Sequence, residues 1–185
     1  MSDINQNPVL EWSSVSKTYG NVQALNKLDL SIHAGQVFGI LGPNGSGKST
    51  SLGIATGLVN KDEGEVRWFG TANSSYKSRL GIMFSSPAFY PYLSAQDNLK
   101  ITALQKEVSL SRIPEVLEFV NLSGRSQDKV KTFSTGMKQR LALAAAILND
   151  PEVLILDEPT NGLDPEGIAE VRDLIKDLTD INRTI

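Results

Sequence analysis

Apolar residues alternate loosely with polar ones early in the chain and recur at helical spacing later. Residues 9–17 predict a first strand, and Tyr19-Gly20-Asn21 is a turn signal. Residues 24–32 set Leu25, Leu28, Leu30 and Ile32 among polar neighbours, strand-like in the second half. Ala34-Gly35-Gln36 turns the chain into a wholly apolar run, Val37-Phe38-Gly39-Ile40-Leu41, that predicts a buried strand. A short helix is expected over 50–58, then a strand over 65–69 and a buried strand over 79–84. Residues 85–92 form a Pro-rich loop with three aromatics. Ser94, with Asp97 three residues on, caps a helix expected through 104. Further helices are expected over 111–120, with Pro114 in the first turn, and over the Ala/Leu-rich 137–148. Val153-Leu154-Ile155-Leu156 predicts a buried parallel strand. Ile168, Val171, Leu174, Ile175 and Leu178 keep a helical period, and 183–185 look like a strand beginning.

Between the strand expected at 37–41 and the next helix lies Gly42-Pro43-Asn44-Gly45-Ser46-Gly47-Lys48-Ser49-Thr50. It fits the spacing G-x-x-x-x-G-K-[ST] in the strand–loop–helix context that the spacing requires. A Gly-rich loop can turn its backbone N–H groups inward around a polyphosphate. The following helix aims its positive end at the same anion. Lys48 would reach the β- and γ-phosphates, and the Ser49 hydroxyl would ligate Mg²⁺. The competing reading, a Gly-rich turn with an incidental lysine, leaves the complete spacing unexplained.

A second anchor is Asp157-Glu158, directly after the strand at 153–156. A carboxylate at the C-terminal end of a buried strand faces the crevice where α/β sheets bind ligands. Asp157 would hold Mg²⁺ through water, and Glu158 would polarise an attacking water as general base. One of the two acids could instead be a salt-bridge partner. Ser134 and Gly136 open the helix at 137–148, making a second phosphate-ready helix N-terminus; alone, that pattern reads as a simple cap.

Composition narrows the partners. A net charge of −3 over 185 residues gives no electrostatic case for nucleic acid. With no cysteine and one histidine, His33, thiol chemistry and a His/Cys metal site are excluded. No apolar run approaches the ~20 residues of a membrane span, so a membrane role must come through a partner.

Taken together, these motifs resemble the ATP-binding subunit of ATP-binding cassette (ABC) transporters. Ser134-Thr135-Gly136-Met137-Lys138-Gln139-Arg140 is similar to the family's signature sequence, and residues 157–165 to its catalytic-strand and dimer-contact loops. The resemblance covers about residues 9–185. It implies an α/β fold: a P-loop NTPase, RecA-like core with an antiparallel β subdomain and a helical signature subdomain. Within one domain over 1–185, about 9–84 would form the β layer and phosphate-loop core, 94–148 the helical subdomain, and 149–185 the second part of the core. Tyr19 would stack on adenine. Ser134, Gly136 and Asp164 would meet the nucleotide held by the 42–50 loop of a second ATPase subunit, head to tail. Closure on ATP and opening after hydrolysis would drive transmembrane permease subunits at the cytoplasmic face of the membrane, through contacts with the 85–92 loop. The STGMKQR form points to an exporter. Soluble ABC-type ATPases, and an ATP-binding module with little turnover, are the alternatives.

Two departures from the family pattern carry expectations. Ser85 stands where the family has a Gln, sometimes Glu, that senses Mg²⁺ and water; a bridging water would have to make up its shorter reach. The family's switch histidine lies after a strand that would follow 168–178, and the chain stops at Ile185. A truncated chain is therefore expected to bind ATP and turn it over weakly or not at all.

Overall fold

The computed structural model describes residues 8–72, 74–180 and 183–185. Its contacts group the chain into two compact units, residues 1–77 with 184–185, and residues 78–183.

The first unit is built on an antiparallel sheet of order β2-β1-β3, with β1 Leu10–Tyr19, β2 Val22–Ile32 and β3 Glu63–Trp68. β1 and β2 are joined by the two-residue turn Gly20-Asn21, with Tyr19 paired to Val22. Gly20 sits at φ 57, which a tight hairpin turn with Gly in its first place requires. Trp12, Val15 and Trp68 bury one face of the sheet. The Trp68 indole N–H donates to the carbonyl of Ala55 at 2.7 Å, fixing α1 (Lys48–Ala55) to the sheet. A buried indole usually finds such a partner, whereas the N–H of Trp12 on the same sheet has none among the described residues.

The apolar run 37–41 is not a strand. Its backbone bonds in a ladder-like way only where Ile185 N–H donates to Gln36 at 2.9 Å and Phe38 N–H donates to Ile185 at 2.7 Å. Among the described residues no ladder continues beyond these bonds, and Leu41 is 93% exposed. A run of apolar residues predicts a buried strand only where neighbouring strands supply a ladder and a cover. The end of the chain at 183–185 contributes the short pairing to Gln36 and Phe38 and nothing longer.

The second unit carries a parallel pair, β4 (Leu80–Met83) and β5 (Val153–Leu156), in register from Leu80↔Val153 to Met83↔Leu156. Four helices accompany it: α2 Ala95–Gln105, α3 Arg112–Phe119, α4 Thr135–Ile147 and α5 Pro165–Asp180. α4 is its centre, with Leu141, Leu143, Ala144, Ala146 and Ile147 all buried. A Cβ on Gly81 would stand 2.4 Å from the Ala146 carbonyl, so glycine is what lets β4 approach this helix. Ser94 caps α2 as expected, its Oγ accepting from Asp97 N–H at 3.0 Å.

Lys106, at the end of α2, donates to Asn149 Oδ1 at 2.7 Å and to the Ala145 carbonyl at 3.2 Å. Burial holds its ammonium down to about 8, from an ordinary 10.5. Below pH 8 the folded chain therefore carries a partly desolvated charge that the unfolded chain leaves in water. Between pH 8 and 10.5 the unfolded state binds the extra proton, so stability rises with pH across that window. Thermal unfolding at pH 7 and pH 9.5 is expected to show this increment in the native sequence and to lack it in Lys106→Met. Equal pH dependence of the two would refute the burial argument.

Candidate functional site

In the first unit, residues 42–50 wrap a concave loop that ends in α1. Gly45 at φ 83 and Gly47 at φ 90 occupy backbone that side chains rarely adopt. Gly47 is also pressed against β2: a Cβ there would lie 2.4 Å from the Ala24 carbonyl. A Cβ on Gly42 would meet Ser46 Oγ at 2.6 Å. Ser46 N–H donates back to the Pro43 carbonyl at 3.2 Å. Lys48 folds over the loop, its Nζ donating to the carbonyls of Gly42 at 2.8 Å and Pro43 at 2.9 Å. Pro43, Asn44, Gly45 and Ser49 are exposed, and Thr50 is half-buried. The N-cap position, Gly47, makes no side-chain cap bond, and α1 carries no acid in its first turn. The helix start keeps free N–H donors and an unneutralised positive end, which suits an anion.

Tyr19 closes β1 beside the hairpin turn and is half exposed, with Lys17 Nζ 5.3 Å from its ring centroid. Lys17 also pairs with Asp62 at 2.7 Å. The Lys17 ammonium, with the Thr18 N–H beside it, holds the Asp62 carboxyl below its ordinary value. A cation that rigidifies the strand end also lies against the Tyr19 ring.

In the second unit, Asp157 and Glu158 stand just past the C-terminal end of β5. Asp157 N–H donates to the Met83 carbonyl at 2.9 Å, carrying the ladder one residue beyond the strand. Ser85, half-buried, leaves the neighbouring strand β4 at the same end, so register brings Ser85, Asp157 and Glu158 to one edge of the parallel pair. Glu158 is exposed and sits at φ 49. Asn161 holds it there, donating from its backbone N–H to the Glu158 carbonyl at 3.0 Å and from Nδ2 to Oε2 at 3.1 Å. A non-glycine residue kept in this region is strained, and such strain concentrates at functional positions.

Ser134 caps α4, its Oγ accepting from Met137 N–H at 3.2 Å. Asp164 does the same for α5: its Oδ1 accepts from Gly167 N–H at 3.0 Å. The two helix starts border a cleft of about 500 Å³ lined by Ser134, Gly136, Arg140, Asp164 and Glu170 among others, all from the second unit. A Cβ added at Gly162, whose φ is 73, would stand 3.7 Å from Thr135 Cγ2. The structure thus brings Ser134, Gly136 and Asp164 to one cleft. Arg140 and Glu170 also line it, 3.7 Å apart, and belong to no residue-by-residue expectation above. The signal for them is spacing: Arg140 is four residues after Gly136, and Glu170 four after Glu166, so each shares a helix face with a cleft residue.

Comparison with known proteins decides the family. The family model described as "ABC transporter" matches residues 25–161. The chain belongs to the ABC transporter family. An ABC transporter ATP-binding protein of Bacillus subtilis, YdbJ, is 42% identical over 182 residues, covering 96% of this chain and 59% of its own length. The lantibiotic transport ATP-binding protein SrtF of Streptococcus pyogenes is 42% identical, covering 96% of this chain and 78% of its own length. The chain thus spans about three fifths of YdbJ. The ADP conformation of MJ1267, an ATP-binding cassette of an ABC transporter, superposes with a TM-score of 0.84 at 25% identity, over 96% of this chain and 79% of that one. The α/β fold is accordingly that of the P-loop ATPase cassette. Among the described residues no helix is long and apolar enough to cross a membrane.

Proposed function

We propose that the chain binds ATP with Mg²⁺ at residues 42–50 and, paired head to tail with a second ATPase subunit, hydrolyses it to power transport through transmembrane permease partners at the cytoplasmic face of the membrane. The observation that carries this reading is the cleft between the starts of α4 and α5. It opens on the capped start of α4 and is lined only by the second unit, while the phosphate loop belongs to the first. Two copies supply each other with what each site needs, and a nucleotide touching both stabilises only the closed pair.

Within such a site each side chain has a defined task. Lys48 exchanges the Gly42 and Pro43 carbonyls for β- and γ-phosphate oxygens. The Ser49 hydroxyl would hold Mg²⁺, the Asp157 carboxylate would hold it through water, and the Ser85 hydroxyl would reach it through a bridging water. A hydroxyl and a carboxylate are a donor set that suits Mg²⁺, which takes one or two carboxylates and leaves its other places to phosphates and water. When bound, the ion neutralises charge developing across the β- and γ-phosphates. The Glu158 carboxylate accepts the proton of the attacking water as the bond from the γ-phosphorus to the β–γ bridging oxygen breaks. Tyr19 stacks on the adenine. Ser134 and Gly136 contact the γ-phosphate on the opposite subunit, with Asp164 reaching across the same interface.

The division into 9–84, 94–148 and 149–185 belongs to the same proposal, with 94–148 as the part that swings. The 85–92 loop contacts the permease: Tyr90 and Tyr92 are exposed, while buried Asn98 pins the loop, accepting from Tyr90 N–H at 2.8 Å. The likeness to a lantibiotic transport protein favours an exporter. Purification from detergent-solubilised membranes tests the reading. The chain is expected to co-elute with a multi-span membrane protein, and the complex to hydrolyse ATP. Elution alone would overturn it, and a complex that binds ATP without turning it over would replace the hydrolytic reading with that of an ATP-binding module.

A further inference from the structure

Arg140 sits one turn beyond Gly136 on α4 with its side chain only 16% exposed. Its guanidinium meets two other elements, α5 and the end of α3. Nε lies 3.7 Å from Glu170 Oε2 on α5. Nη1 points at the carbonyls of Val120, 3.4 Å, and Asn121, 3.5 Å, at the C-terminal end of α3. Carbonyls at a helix end carry partial negative charge and favour a cation there. Among the described residues Nε has no hydrogen-bond partner, and the Glu170 oxygen stands just beyond bonding reach. Both side chains line the cleft that holds Ser134, Gly136 and Asp164. The geometry pairs the Gly136–Arg140 face of α4 with the Glu166–Glu170 face of α5.

We propose that Arg140, acting through Glu170, is a positioning residue that sets the spacing between the start of α4 and the start of α5, so that Ser134, Gly136 and Asp164 meet a nucleotide as one surface. The inference rests on the head-to-tail reading above. An exposed ion pair would contribute little to stability. This one is partly buried, and its value lies in holding two helix starts to one geometry. A different role would be plain electrostatic screening. The cleft also bears Asp164, Glu166 and Glu170, three carboxylates that would repel a polyphosphate if Arg140 were absent. The two roles separate at Glu170. As an anchor it is needed; as a repulsive charge its loss would help.

The test uses the chain with Glu158→Gln, so that ATP persists, and measures ATP-driven association by sedimentation alongside binding of a fluorescent ATP analogue to the monomer. Arg140→Ala is expected to weaken association about tenfold and leave monomer binding within twofold. Glu170→Gln should weaken it in the same direction, and Arg140→Ala with Glu170→Ala together should be no worse than Arg140→Ala alone. Unchanged association in Arg140→Ala, or tighter association in Glu170→Gln, overturns the positioning role while leaving the head-to-tail reading intact. If the parent itself fails to associate with ATP, the head-to-tail reading falls and the inference with it. Arg140→Lys guards against simple misfolding: it keeps the charge at the α3 carbonyls, and partial recovery of association is the expected result.

Discussion

Glu158→Gln is expected to lower steady-state ATP hydrolysis in the assembled transporter by ~10²–10⁴-fold, the usual contribution of a general base. The substitution keeps shape and removes only the capacity to take a proton. The Asn161 Nδ2 bond to Oε2, 3.1 Å, can be retained by the amide oxygen of Gln, so the strained backbone at φ 49 keeps its support. ATP affinity at the 42–50 loop should therefore stay within about threefold, since no contact of that loop changes. The ATP-bound pair should persist far longer, because opening requires the γ-phosphate to leave. Phosphate release and nucleotide retention measured on one preparation check both halves. A variant hydrolysing at more than a tenth of the native rate would move the base to another residue. A variant that lost ATP affinity as well would make Glu158 a binding residue.

Much of this site could be read from sequence because its parts are local. The 42–50 loop, Asp157 and Glu158 after four apolar residues, and Ser134 before an Ala/Leu-rich helix each depend on a few neighbouring residues. So do the caps: Ser94 and Asp97 stand as the periodicity implied. What escaped depends on distant pairing. The run 37–41 has the composition of a buried strand, but strand formation needs a ladder, and only Ile185 offers one bonded place. Gly64 shows the reverse: it lies inside β3, ahead of the strand expected over 65–69, and only a residue without a Cβ fits there, since a Cβ would stand 2.4 Å from the Ser14 carbonyl of β1. The Arg140–Glu170 pair joins residues thirty apart, and nothing local in either helix names the other. The φ of Glu158 is equally invisible to composition, since strain at this carboxylate is imposed by the turn that Asn161 closes.

Gly47→Ala should remove nucleotide binding more completely than loss of the lysine beside it. Lys48→Ala deletes one cation and leaves the loop's N–H groups in place; charge-assisted contacts of this kind contribute about 1.5–3 kcal/mol each, or about tenfold to a hundredfold in affinity. Gly47→Ala acts on the cradle itself. Its backbone is at φ 90, and the added methyl would lie 2.4 Å from the Ala24 carbonyl and 2.9 Å from Leu25 Cδ2. The leucine can rotate, but the carbonyl belongs to β2 and is held by the sheet. The loop must move instead, which takes the start of α1 and its free N–H groups away from the phosphates together. A loss of a hundredfold or more in affinity for ATP is expected. The β2-β1-β3 sheet should survive, because Trp12, Val15 and Trp68 are untouched, and near-ultraviolet circular dichroism of the two tryptophans should remain close to that of the native chain. Binding within threefold of native, with the tryptophan signal unchanged, would mean that the loop tolerates a side chain at 47 and that the close approach to Ala24 does not shape the phosphate site. A second substitution sharpens the result. Gly45→Ala meets no atom within 4 Å and is strained only through its φ of 83, so its loss should be the smaller of the two. If Gly45→Ala were the more damaging, backbone conformation rather than contact with β2 would be what the glycines supply.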